Sequence, residues 1–130
     1  VGSPLGDVLA LGPDEWLVVG PDGTEGTIER ALRAAAGADG AVVDLSSSGA
    51  GLLLCGPAAR AVLATCCALD FHPRAFGPGQ CAATLLAKAP MIIHQLDLTP
   101  SYRILVRPSL AEYLAGWLLE GLAAVRVAGR

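Results

Sequence analysis

The stretch VVDLSSSGAGLLLCGPAARAVL, residues 42–63, gathers the side chains that could do chemistry: an acid, Asp44, then Ser46, Ser47 and Ser48, with two spaced glycines ahead of Gly56-Pro57. A nucleophilic serine needs a neighbouring base and an oxyanion donor. No G-x-S-x-G turn surrounds these serines, and His72 and His94 are the only histidines, so a Ser/Gly reversal of the chain is the better reading. Gly49-x-Gly51 lacks the third glycine and the strand-to-helix setting of a dinucleotide loop. Asp44 closes an apolar run and Asp70 follows a helical one. Either carboxylate could serve a site, and Asp at such ends also commonly bonds its own backbone. Arg103 and Arg107 fall on one side of a strand, where they could meet a partner's acid or stand solvated.

Metal and nucleic-acid chemistry find little support. Cys55, Cys66, Cys67 and Cys81 contain no C-x-x-C pair, and two adjacent cysteines on a helix point about 100° apart, which suits neither a zinc site nor a disulfide between them. They read as buried thiols acting as small hydrophobes. The two histidines, 22 residues apart, have no carboxylate at helical ligand spacing, so no metal site is expected. A net charge of −3 gives no basic stripe for a phosphate backbone.

The elements that would position these residues follow a loose strand, strand, helix pattern. Residues 8–11 and 15–20 read as strands around the turn Gly12-Pro13-Asp14. Thr24 caps a helix to about Ala36, with Glu29 and Arg33 at i, i+4 and Gly37 ending it. Next come strands at 41–45 and 51–55 across the serine reversal, then a helix opened by Pro57. Its apolar stripe is Ala59, Val62, Leu63, Cys66 and Cys67, and His72-Pro73 breaks it off. Strands at 81–87, 91–98 and 102–107 complete the set, the last with Tyr102, Ile104 and Val106 on one side. A final helix carries the capping box Ser109…Glu112 and the stripe Leu110, Tyr113, Leu114, Trp117, Leu118 and Leu122. Hairpins followed by helices, without long crossovers, predict an α+β fold: an antiparallel sheet with helices packed mainly on one face.

At 130 residues the chain is expected to be one domain, residues 1–130. Only 16% of residues are charged against roughly 25% in an average domain, which suggests a surface covered by partners. Gly, Pro, Arg and Asp cut the apolar runs well short of the roughly 20 residues a membrane span needs. The start VGSPLGD lacks the basic and apolar stretches of a signal peptide, so a cytoplasmic chain is expected.

The stretch VVDLSSSGAGLLLCGPAARAVLATCCALDFHP resembles the folate-binding domain of the glycine-cleavage T-protein family, whose pattern runs Asp-Val-Ser, Gly, a strand, Gly-Pro-x-Ala, a helix and Asp. The matching places are Asp44-Leu45-Ser46, Gly49, Gly56-Pro57-Ala58-Ala59 and Asp70. Within that group the chain is more similar to the gamma subunits of heterotetrameric sarcosine oxidase. That likeness is carried by LGPDEWLVVGP, VDLSSS, CALDFHPRAFGPGQCAATLLAKAPMIIHQLD and SYRILVRPSLAEYLAGWLLEGL, from Leu11 to about Leu122.

The resemblance implies a T-protein-like α+β fold and a place beside larger subunits: an alpha subunit with NAD and a folate-handling domain, a beta subunit with FAD and FMN, and a small delta subunit with zinc. It implies no cofactor bound by this chain itself. T-proteins carry an Asp-Asp pair after two aliphatic residues on the strand that here reads Ile92-Ile93-His94-Gln95, and the second Asp is their catalytic carboxylate. Gln95 stands in its place, an amide with no proton to exchange at neutral pH. Asp44, Ser46, Ser47, Ser48, Asp70 and Gln95 are therefore candidates for a folate side or a subunit contact, with no catalytic residue assigned. The expected function is a non-catalytic gamma-type subunit of a sarcosine oxidase. A free-standing folate-binding module is the alternative, and a folate-independent transferase a third.

Overall fold

The turn Gly12-Pro13-Asp14 reverses the chain as expected in the computed structural model, which describes residues 2–3 and 5–128. Strand β1 (Gly2–Ser3) pairs with β2 (Gly6–Gly12), and β2 folds back antiparallel on β3 (Glu15–Val19), giving a three-stranded sheet in the order β1-β2-β3. Thr24 precedes α1 (Glu25–Ala36), but its hydroxyl donates to the Pro21 carbonyl at 2.6 Å and makes no side-chain cap. Arg33 and Glu29 pair at 2.9 Å, and Arg33 Nη2 also donates to the Val42 carbonyl at 2.9 Å. Leu9 and Ile28 are buried. Gly20 has no room for a side chain: a Cβ there would run into Ile28 Cδ1 and come within 2.8 Å of the Leu5 carbonyl oxygen.

Residues 41–45 form no strand, and the hairpin expected across the serines is absent. Val43 and Leu45 are exposed, and Ser46–Ser48 form one 3₁₀ turn in which the Ser48 N–H bonds the Leu45 carbonyl at 2.8 Å. The reason lies in pairing. A short apolar run marks a segment able to be a strand but names no partner, and the strand that follows, β4 (Ala50–Cys55), takes its ladder from far along the chain.

The described residues separate into two compact units, Val1–Ser48 and Gly49–Arg130. In the second, β4 is followed by α2 (Ala59–Cys66), β5 (Cys81–Leu86), β6 (Ala89–Asp97), β7 (Ser101–Val106) and α3 (Pro108–Ala128). The strands form one antiparallel sheet in the order β4-β7-β6-β5. Register sets one face. Leu52 stands opposite Ile104, Ile104 opposite Ile93, and Ile93 opposite Ala82. Tyr102, Ile104 and Val106 are buried, as the alternation in YRILVR predicts, and they join Leu63, Leu86, Met91, Leu114 and others in one apolar core. Helices α2 and α3 pack against each other, with α3 lying on β4 and β6. This is the antiparallel α+β arrangement the patterning predicts.

Three local expectations are corrected. Helix α2 is shorter than its stripe: Pro57 lies in the turn before it, and Cys67 is already extended (φ −131°, ψ 134°), bridging to Leu86, while the Cys66 carbonyl accepts from Ala87 N–H at 2.7 Å. Pairing with the end of β5 outcompetes the last helical turn. Pro108 occupies the first position of α3, so Ser109 lies inside the first turn rather than capping it. Tyr113 and Trp117 keep 40% of their surface exposed and stack edge to face at 6.4 Å, leaving Leu114, Leu118 and Gly121 as the buried ridge. Among the described residues no helix is long and apolar enough to cross a membrane.

Candidate functional site

Asp44 and Ser46 come together. Asp44 Oδ1 accepts the Ser46 N–H at 2.9 Å and also the Ser46 hydroxyl, forming a local turn that leads into Ser47 and Ser48. The Ser46 hydroxyl, with the backbone N–H beside it, holds the Asp44 carboxyl below the usual carboxylate range. All four residues are exposed, and the group that accepts the Ser46 hydroxyl is the Asp44 carboxylate of the same turn. The acid and the serine satisfy each other, as Asp at a chain reversal commonly does.

Asp70 and Gln95 belong to the second unit and differ sharply in setting. Asp70 is exposed just beyond α2, where Oδ1 accepts the His72 N–H at 2.9 Å and His72 Nδ1 in turn accepts the Arg74 N–H at 3.1 Å. Gln95 is fully buried in β6, on the helix-facing side and opposite Tyr102. Its Nε2 donates to the Asp97 carbonyl at 2.9 Å, while Oε1 has no hydrogen-bond partner. An amide suits this place, since an ionised carboxylate would meet the same carbonyl oxygen without a proton to offer.

Two residues near Gln95 escaped the reading of the sequence. Arg60, on the first turn of α2, lies beside the Tyr102 hydroxyl, yet neither Arg60 Nε nor Tyr102 Oη makes a hydrogen bond of normal geometry. Burial pushes the Tyr102 phenol up, and the neighbouring Arg60 cation opposes that shift. Phe71 packs edge-on against both Tyr102 and Phe76, at 5.8 and 5.7 Å. Arg60, Ala64, Leu69, Asp70, Phe71 and His72 are among the walls of an open groove of about 570 Å³. The signal that could have found this region was a tyrosine at a core-facing strand position, since a buried hydroxyl calls for a polar neighbour.

The thiols also depart from expectation. Only Cys67 is buried; Cys66 and Cys81 are half-buried and Cys55 is exposed. Burial pushes the Cys66 thiol up, away from the thiolate. Among the described residues no three His, Cys, Asp or Glu side chains stand together as a metal site would require. What the candidate residues make is a set of locally satisfied turns, a buried amide and an open, largely apolar groove, with no activated nucleophile among them.

Comparison with known proteins supplies the context. The family described as sarcosine oxidase, gamma subunit, matches residues 1–124. The sarcosine oxidase subunit gamma of an Arthrobacter species is 39% identical over 115 residues, covering 88% of this chain and 56% of the relative. That of Corynebacterium sp. strain P-1 is 42% identical over 117 residues, covering 89% and 56%. The chain thus spans a little over half the length of these relatives. Among solved structures, a chain of the heterotetrameric sarcosine oxidase from Corynebacterium sp. U-96, in complex with pyrrole 2-carboxylate, superposes with a TM-score of 0.78 at 32% identity, covering 95% of this chain and 67% of that one. With the family profile matching nearly its full length, the chain belongs to the sarcosine oxidase gamma subunit family.

Proposed function

We propose that this chain works as a gamma-type subunit of a heterotetrameric sarcosine oxidase, contributing contacts to the assembly rather than an active site of its own. The observation that carries the reading is the structural likeness over 95% of the chain to a chain of such a complex. Its surface is consistent with that role: Trp16, Leu53, Leu119 and Val127 are all more than half exposed, in a chain poor in charge. The finer fold assignment, to the T-protein-like folate-binding type, belongs to the same proposal. It is supported by the pattern Asp44-Leu45-Ser46, Gly49, Gly56-Pro57 and Asp70, and by Gln95 at the place of the T-protein catalytic carboxylate.

In this reading the complex oxidises sarcosine with oxygen and water to glycine, formaldehyde and hydrogen peroxide, or passes the carbon to tetrahydrofolate. FAD, FMN and NAD belong to the larger alpha and beta subunits, zinc to the small delta subunit, and none of them to this chain. The whole assembly would be cytoplasmic. The test is a native pull-down of this chain from its host, with subunit masses and the visible spectrum of the eluate. Stoichiometric larger chains with flavin absorption and sarcosine turnover are expected. A colourless single band that binds folate saturably would overturn the subunit reading in favour of a free-standing folate module.

A further inference from the structure

The four-stranded sheet ends on an edge that its sequence leaves unprotected. β4 is the outer strand of the order β4-β7-β6-β5. Its register with β7 runs from Ala50 opposite Val106 to Cys55 opposite Ser101 without a bulge, and the Gly56 N–H bonds the Pro100 carbonyl at 3.0 Å. In an antiparallel ladder that bond fixes the phase: Ala50, Leu52 and Leu54 turn their N–H and C=O toward β7, while Gly51, Leu53 and Cys55 turn theirs outward. Those last three residues are exposed, Leu53 at 65%, and none of them bonds a backbone group outside the sheet among the described residues. Natural edges are blunted by Lys, Pro or a bulge, and AGLLLC has none of these. The opposite edge, β5, is partly closed by the bridge from Cys67 to Leu86. Arg107 follows β7 on the face of Leu105; it is exposed and enters no ion pair among the described residues. Gly49 and Gly51 stand between it and the open edge without side chains: a Cβ at Gly49 would meet nothing within 4 Å, and one at Gly51 only Leu105 Cδ2 at 3.8 Å.

We propose that β4 accepts an extended segment of a partner chain as a fifth strand of this sheet, with an apolar side chain beside Leu53 and a carboxylate reaching Arg107 over the two glycines. The inference rests on the proposed subunit role, and the partner is one of the larger chains of that assembly. Outward N–H and C=O groups at every second residue are satisfied together only by another strand. A strand added about 4.8 Å from β4 covers the exposed Leu53 side chain. The unpaired guanidinium then selects a segment whose acid falls at the Gly49–Gly51 end. A second copy of β4 offers the same backbone but no acid, since AGLLLC is uncharged.

The experiment is hydrogen exchange, resolved to single amides, on the isolated chain and on the native assembly purified through it. In the assembly the N–H groups of Gly51, Leu53 and Cys55 should slow at least about tenfold, while those of Leu52 and Leu54, already bonded to β7, should change far less. Leu53→Pro deletes one outward donor and leaves the β7 ladder whole, so it should cut recovery of the larger chains about tenfold. Leu53→Lys, whose side chain stays solvated in the free chain, gives the same test where the proline variant fails to fold. Arg107→Glu should also weaken assembly about tenfold, and Arg107→Lys less, because it keeps the charge but loses the fork. Outward amides that exchange equally fast in the assembly and the isolated chain, a Leu53→Lys chain that assembles like the unaltered one, or an indifferent Arg107→Glu variant would each overturn the inference while the subunit role stands. Protection that grows with the concentration of the isolated chain would overturn it in favour of β4 pairing between copies. A chain that captures no larger subunit overturns the subunit role and this inference with it.

Discussion

Two glycines of α3 should respond in opposite directions to the same substitution. Alanine is favoured over glycine inside a helix by about 1 kcal/mol, through the backbone freedom glycine gives up on folding. At Gly116 an added methyl would meet nothing within 4 Å, so Gly116→Ala should keep most of that gain. At Gly121 the new Cβ would lie 2.7 Å from Thr65 Oγ1, 3.2 Å from Val62 Cγ1 and 3.4 Å from the Val62 carbonyl oxygen. The Thr65 hydroxyl already donates to that carbonyl at 2.7 Å, so turning it aside gives up a hydrogen bond of about 1 kcal/mol. Moving the helices apart instead costs on the order of 1–3 kcal/mol of overpacking. Gly121→Ala should therefore fall about 1–3 kcal/mol below Gly116→Ala, erasing or reversing the helix-propensity gain. The assay is urea unfolding followed by Trp117 fluorescence in a Trp16→Phe background, so that only the unit containing α3 reports. Equal stabilisation by both substitutions would refute the close approach of α2 and α3 at Gly121.

Restoring an acid at position 95 should be costly. Gln95→Glu places a carboxylate in a fully buried site facing the Asp97 carbonyl, and at neutral pH the loss should reach at least about 2 kcal/mol. Burial raises the folded pKa of the new Glu above its unfolded value of about 4.3, so the penalty is small below that pH and grows until the folded pKa is passed. A pH-independent loss would show that the carboxylate is solvated. Asp97 has the opposite sign: the Thr99 N–H, at 2.9 Å, and then the Thr99 hydroxyl hold its carboxyl below the ordinary value. Its contribution is present above about pH 3.9 and lost as the pH falls through the lower folded pKa, so a carbon-detected titration should give a midpoint below about 3.9, and Asp97→Asn should flatten the acid limb of the stability profile.

The sequence by itself determined the elements whose signals are local. A Gly-Pro-Asp turn forces a reversal, Glu29 and Arg33 meet because four residues span a helical turn, and YRILVR alternates because strand side chains do. Family membership was also legible there, carried by motifs kept in order from Leu11 to Leu122. Only tertiary structure decided what depends on distant partners. β4 pairs with β7, some fifty residues on, so residues 41–45 lose the hairpin that their apolar run and the serine reversal suggested. Cys67 leaves its helix for a bridge to Leu86. The candidate site divides on the same line. The Asp44–Ser46 turn could be read from adjacent letters, whereas the burial of Gln95, the placing of Arg60 beside Tyr102 and the sharing of one groove by Arg60 and Asp70 join residues 10 to 42 positions apart. No periodicity encodes such a meeting, because it is set by how a helix packs on a sheet whose strand order the chain reveals only when folded.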